Sequence, residues 1–195
     1  MENLKAQSLI PSLSWGYSAG NQYRPSKALG SLTLGGYDTS KFVPNNVSFS
    51  FDPIDVRDLS VNLNAIEMVT GNGDRTVLSN TTLPMFVDST VPFIFLPLEV
   101  CRQFESAFGI SWNETVQAYL VTDTEHARLK AQNANVTFTL GNGQPDVAVN
   151  ITLPYAAFDL NASYPLIDTP SRYFPLTRAT NETQFILGRT FFQEA

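Results

Sequence analysis

The chain has 195 residues, of which 43% are hydrophobic and 15% charged, a composition that suits one compact domain with a sizeable core. Its formal net charge of −6 argues against binding to nucleic acid or to an anionic membrane surface, because both need clustered Lys and Arg. Its one His and one Cys, His126 and Cys101, cannot form a zinc site, and we expect neither a metal nor another cofactor.

Much of the chain shows the alternation of apolar and polar residues that is typical of β-strands. Two pairs of such segments are joined by an Asn-Gly turn, which favours a hairpin. The predicted hairpins comprise residues 60–69 and 75–78 around Asn72-Gly73, and residues 135–140 and 147–153 around Asn142-Gly143.

Helix is predicted in one segment, residues 97–109, where Phe104, Ala107 and Phe108 have the spacing of a single buried face. A second, short helical turn is predicted near residues 124–131. We therefore expect a mainly β fold, a single lobe with one or two short helices.

An apolar strand containing Phe86 and Val87 ends in Asp88-Ser89-Thr90 and is followed by a second apolar run. A carboxylate at the end of a hydrophobic strand is poorly solvated, and such positions are chemically unusual. Asp88 is therefore the first candidate for a functional residue.

Further along the chain, residues 185–188 have the sequence Phe-Ile-Leu-Gly, and this segment and the Asp88 segment together resemble the C-terminal lobe of a pepsin-like aspartic protease. The Gly-rich stretch 29–38 resembles the hairpin that opens this lobe, and residues 12–17 resemble the strand before it. Residues 97–109 match the helix behind the catalytic loop. The order and spacing of these segments are most similar to those of secreted fungal members of the family.

The resemblance implies peptide-bond hydrolysis at acidic pH by two aspartates that lie about 3 Å apart and share one proton. The ionised aspartate activates water, and the protonated one donates a hydrogen bond to the substrate carbonyl. The resemblance assigns Asp88 to one member of this dyad. Asp168-Thr169-Pro170 superficially imitates the other, but no Gly follows it and its proline-rich surroundings favour a turn.

The segment after Asp88 departs from the family pattern of Thr/Ser, Gly, Thr/Ser. Ser89 keeps the hydroxyl that braces the catalytic loop. Thr90 brings a branched side chain to the Gly position, where the backbone needs room. Val91 lacks the last hydroxyl, and we expect the hydrogen bond that would orient the carboxylate to be lost.

The resemblance gives Ile186, Leu187 and Gly188 a supporting role, because this element threads behind the catalytic loop in the family. It also implies that residues 1–195 form the C-terminal lobe, with the N-terminal lobe and the final strands missing. Three explanations stay open: a truncated relative or fragment, a non-catalytic lobe that binds peptides, or two copies that pair so that each supplies Asp88.

We expect an aspartic endopeptidase relative that is weak or inactive as an isolated lobe and whose substrate is a peptide or protein. The alternative is a pseudopeptidase or peptide-binding module, motivated by Thr90, Val91 and the missing lobe. The expected partner is a second copy of the chain or the N-terminal lobe.

Seven Asn-X-Ser/Thr triplets indicate passage through the secretory pathway, because the composition of the chain would give roughly three by chance. They begin at Asn46, Asn80, Asn113, Asn135, Asn150, Asn161 and Asn181. The first residues of the chain lack the apolar core of a signal peptide, and no run of about 18 apolar residues could span a membrane. We therefore expect a secreted glycoprotein whose targeting segment is not in this sequence.

Cys101 is the one cysteine, and an odd cysteine in a protein of secretory type usually has a partner. Two interpretations stay open: a disulfide partner outside this chain, or a buried free thiol in the helix over residues 97–109.

Overall fold

The computed structural model describes the whole chain except residues 22, 25–28, 52–58, 144–146 and 166. The described residues form fourteen strands and three α-helices. The strands are β1 (Trp15–Ser18), β2 (Ser31–Leu34), β3 (Ser60–Val69), β4 (Arg75–Ser79), β5 (Leu83–Val87), β6 (Ile94–Pro97), β7 (Ser111–Asn113), β8 (Ala118–Val121), β9 (Asn135–Gly141), β10 (Ala148–Pro154), β11 (Leu160–Ala162), β12 (Ser171–Phe174), β13 (Leu176–Ala179) and β14 (Ile186–Leu187). The helices are α1 (Glu2–Ala6), α2 (Leu98–Phe108) and α3 (Asp123–Gln132). The mainly β fold is as predicted.

Three sheets make up the architecture. The largest has the strand order β10-β9-β3-β5-β14-β6-β13, with β4 also paired to β3. A second sheet has the order β11-β12-β8-β7, and β1 and β2 form a separate antiparallel pair. In the largest sheet β14 pairs in parallel with β5 and antiparallel with β6, so it lies between the two strands that flank residues 88–93.

The first predicted hairpin is confirmed as β3 and β4, with Gly73 at φ +90° in the turn. The strand β3 is less regular than the sequence alternation suggested. The buried residues of β3 are Leu63, Ile66 and Met68. Residues with odd numbers therefore face the core at Leu63, and residues with even numbers face it from Ile66 onward. Register shifts in this part of β3 provide the change, because a β-bulge moves the following side chains to the opposite face.

The second predicted hairpin is confirmed as β9 and β10, which pair in antiparallel register. Its inner face buries Val136 and Phe138, whereas on its outer face Thr139 donates a hydrogen bond of 2.8 Å to Asn150. In the predicted turn around Asn142-Gly143, Gly143 has φ +83°, and residues 144–146 lie outside the described part of the chain.

The predicted helix over residues 97–109 is α2, which spans Leu98–Phe108 and is capped at its C-terminus by Gly109 with φ +56°. The predicted short turn near residues 124–131 is a ten-residue helix, α3, whose start is fixed by a capping box between Thr122 and Glu125. The short helix α1 was not predicted. None of the helices in the described residues combines the length and hydrophobicity that a membrane-crossing helix requires.

The core lies between α2 and the sheets and is rich in aromatic rings, as predicted for Phe104 and Phe108. These two rings stack with centroids 5.8 Å apart, and Phe108 also contacts Phe174. The contact of Phe108 with Phe174 in β12 joins the helix to the second sheet, and Phe158 stacks on the same Phe174 ring at 4.8 Å.

Cys101 lies on the inner side of α2 and is fully buried as a free thiol. Its Sγ is 3.5 Å from the Leu96 carbonyl oxygen and 3.7 Å from that of Thr177. Burial raises the pKa of the Cys101 thiol to about 12. This position agrees with the interpretation as a buried free thiol, because no outside partner reaches it without unfolding.

We predict that iodoacetamide does not modify Cys101 in the folded chain at pH 8 but modifies it rapidly in denaturant, because only the unfolded thiol is exposed and forms a thiolate. Mass spectrometry of the labelled chain checks this. The pKa of the thiol is 9.0 in the unfolded chain and about 12 in the folded chain. Between these pH values the unfolded thiol loses its proton while the folded thiol keeps it, so the free energy of unfolding falls as the pH rises from 9.0 to about 12. Rapid labelling under native conditions would contradict the buried position.

Candidate active site

Asp88 follows the last residue of β5 and begins the loop to β6. Its backbone N–H donates a hydrogen bond of 3.2 Å to the carbonyl oxygen of Leu187 in β14. The preceding residue, Val87, donates one of 2.8 Å to Leu59. The backbone at Asp88 is therefore held by hydrogen bonds to Leu187 and, through Val87, to Leu59. These bonds fix the direction of the Cα–Cβ bond of Asp88.

The carboxylate of Asp88 is half-buried and is bonded by its own loop. Its Oδ1 accepts hydrogen bonds from the backbone N–H of Thr90, at 2.9 Å, and from the hydroxyl of Thr90, at 2.6 Å. The loop thus supplies a hydroxyl to the carboxylate although Val91 has none. Thr90 is exposed, so in this structure its branched side chain projects from the loop without crowding it.

The other predicted loop residue, Ser89, is half-buried, and its hydroxyl bonds no other group in the described residues. The expected brace requires a counterpart loop, and Ser89 contributes no such contact within the described chain. Asp168 lies in an exposed segment before β12, a strand of the second sheet, whereas Asp88 follows β5 in the largest sheet. The hydrogen-bond partner of the Asp88 carboxylate is Thr90, not Asp168.

Gly188 passes so close to the back of the Asp88 loop that no side chain fits there. A Cβ at this position would overlap the carbonyl oxygen of Phe93 and lie 2.5 Å from that of Val91. The next residues bond the same loop, since the N–H of Arg189 donates to Val91 at 2.7 Å. Thr190 donates to Pro92 from its N–H at 3.2 Å and from its hydroxyl at 2.8 Å.

A cavity of 360 Å³ lies beside the strand that leads to Asp88. We call it the Phe86 cavity; its lining includes Ser48, Ser60, Asn62, Pro84, Phe86 and Glu182. Alternate residues of a strand face the same side, so Pro84 and Phe86 project from β5 on the side where Asp88 follows. This cavity was not predicted from the sequence, although the alternation Pro84, Phe86, Asp88 was a usable signal.

The predicted glycosylation residues are all accessible in the structure. Six of the seven asparagines are exposed and Asn113 is half-buried. The Asn181 side chain also accepts a hydrogen bond of 3.0 Å from the N–H of Thr183 at the start of a short 3-10 helix, Glu182–Gln184.

The model of the eukaryotic aspartyl protease family matches residues 1–195. The chain belongs to this family. No curated protein sequence matches it. Among solved structures, the chain is similar to the aspartic proteinase from Irpex lacteus, with a TM-score of 0.62 and 18% sequence identity. The match covers 98% of this chain and 54% of the Irpex proteinase, so the chain spans about half the length of that structure. Its fold is that of a single lobe of an aspartic proteinase, as predicted.

In this aspartyl protease lobe we predict that Gly188→Ala lowers the free energy of unfolding by at least about 3 kcal/mol, because the added Cβ overlaps two backbone oxygens. Urea denaturation followed by circular dichroism measures the change.

Gly36→Ala is the matched control, because an added Cβ there meets nothing within 4 Å. It should change the free energy of unfolding by less than about 0.5 kcal/mol. Equal stability of the two variants would show that the loop and Gly188 are not packed as described.

Proposed function

We propose that this chain is the catalytic C-terminal lobe of an acid endopeptidase and that Asp88 supplies one of the two carboxylates. The observation that carries the proposal is the position of Asp88 in a loop whose two flanking strands are held together by β14. Such a frame holds a carboxylate in place during the reaction, and fixed geometry is what general acid-base catalysis requires.

The chemistry needs a second carboxylate beside Asp88, so that the pair holds one proton between them. The ionised member removes a proton from water, and the water oxygen attacks the peptide carbonyl while the other member donates its proton to the carbonyl oxygen. Because the Oδ1 of Asp88 is bonded by Thr90, we assign the catalytic contacts to Oδ2. An N-terminal lobe or a second copy of this chain would supply the partner carboxylate.

The Phe86 cavity supports a peptide as the substrate. A peptide bound in extended form over Asp88 places neighbouring side chains about 3.4 Å apart along its backbone. Phe86 precedes Asp88 by two residues, so a side chain one or two positions from the cleaved bond reaches this cavity. The exposed glycosylation asparagines support a secreted protein.

A second candidate function is peptide binding without cleavage. The two hydrogen bonds from Thr90 favour it, because they hold one carboxylate oxygen within the loop. In this case the chain would bind extended peptides, and no residue would need to complete the dyad.

We predict that the chain cleaves a denatured protein at about pH 3.5 and that pepstatin inhibits this cleavage. The substitution Asp88→Asn should lower kcat/KM at least about 1000-fold. The loss follows because an amide cannot remove a proton from water. Peptide products are measured by mass spectrometry, and size-exclusion chromatography shows whether the active species is a dimer.

Asp168→Asn is the control, since it removes an exposed carboxylate outside the loop and should leave cleavage unchanged. Acid-dependent cleavage that persists in Asp88→Asn would refute the proposed role of Asp88. A folded chain that forms a dimer and binds peptides but never cleaves them would support the second candidate function.

A further inference from the structure

The Phe86 cavity has a mixed wall that is apolar on one side and oxygen-rich on the other. Pro84 and Phe86 contribute apolar surface, whereas Ser48, Ser60 and Glu182 contribute hydroxyl and carboxylate oxygens. Among the described residues, those that line the cavity include no Lys, Arg or His. The chemical character of this wall is therefore that of a hydrogen-bond acceptor with negative charge.

Glu182 is the charged residue of this wall. It is exposed at the start of the 3-10 helix Glu182–Gln184, and it forms no ion pair with any described residue. Its helix lies directly before Phe185, whose carbonyl oxygen accepts a hydrogen bond of 2.8 Å from Phe86. The same backbone connection that holds β14 beside β5 thus also holds Glu182 at the cavity.

We propose that Glu182 is a specificity-determining residue that selects peptides with a Lys or Arg side chain at the position bound in the Phe86 cavity. The inference rests on the proposed function, since it concerns the substrate of that site. The aliphatic stem of such a side chain packs on Phe86, and its cationic end pairs with the Glu182 carboxylate and the neighbouring hydroxyls. An acidic side chain would meet the same carboxylate and be repelled.

The test compares pairs of peptides that carry either lysine or norleucine at one position and are otherwise identical. The two side chains have the same aliphatic stem, and only lysine has a charged end. The residue is placed in turn at each of the four positions around the cleaved bond. Binding to the Asp88→Asn chain is measured by calorimetry at pH 5.5, so that no turnover interferes. We expect lysine to improve Kd about fivefold at one position. Glu182→Gln should reduce this ratio to about one, and Glu182→Lys should reverse it.

The matched control is Glu99→Gln, which makes the same change of charge on the outer side of α2, where Glu99 is exposed. It should keep the fivefold preference. Circular dichroism verifies that each variant is folded.

Three results would overturn the inference. Equal binding of the lysine and norleucine peptides would refute the role of Glu182, and so would a lysine preference that persists in Glu182→Gln. In both cases the proposed peptide recognition stands. If no peptide binds and the unsubstituted chain cleaves none, the proposed function fails together with the inference.

Discussion

The close passage of Gly188 behind the Asp88 loop is the constraint on which the rest of the site depends. The strand β14 can lie between β5 and β6 only if the residue after it has no side chain, because two carbonyl oxygens of the loop occupy that space. In return, the backbone beyond Gly188 bonds the carbonyl groups of Val91 and Pro92. The path of the loop is therefore fixed by bonds to its main-chain atoms and does not depend on the hydroxyl that Val91 lacks.

This arrangement explains how the loop accommodates residues that depart from the family pattern. The family pattern has a hydroxyl at the position of residue 91 to orient the carboxylate, and because Val91 has none, we expected that hydrogen bond to be lost. The turn after Asp88 instead brings both donors of Thr90 to the same carboxylate oxygen. The Asp88 carboxylate is thus oriented by an interaction within residues 88–90, and this interaction does not depend on contacts with distant parts of the chain.

The sequence predicted those elements whose information is local. The two Asn-Gly hairpins and α2 were predicted because their turn residues and the spacing of their apolar residues are properties of short, continuous segments. The bulge in β3 was missed because the alternation was read in a single phase, although the buried residues change phase between Leu63 and Ile66. The length of α3 was underestimated because Leu129 is its one buried residue, and the capping box at Thr122 was the better signal.

The site was predictable in part for the same reason. Asp88 and Gly188 were found from short motifs, but the Phe86 cavity combines residues distant in sequence, and only the pairing of β14 with β5 brings Glu182 beside Phe86.

A second carboxylate raises a different problem, since folding and catalysis have different requirements. The core cluster is built from residues of this lobe, and Asp88 is not part of it. Acid-base catalysis needs two carboxylates close together, and the described residues bring no other carboxylate into hydrogen-bond contact with Asp88. Under the proposed function, the catalytic pair would require a second carboxylate from outside this lobe, and the packing of the lobe's core does not depend on that carboxylate.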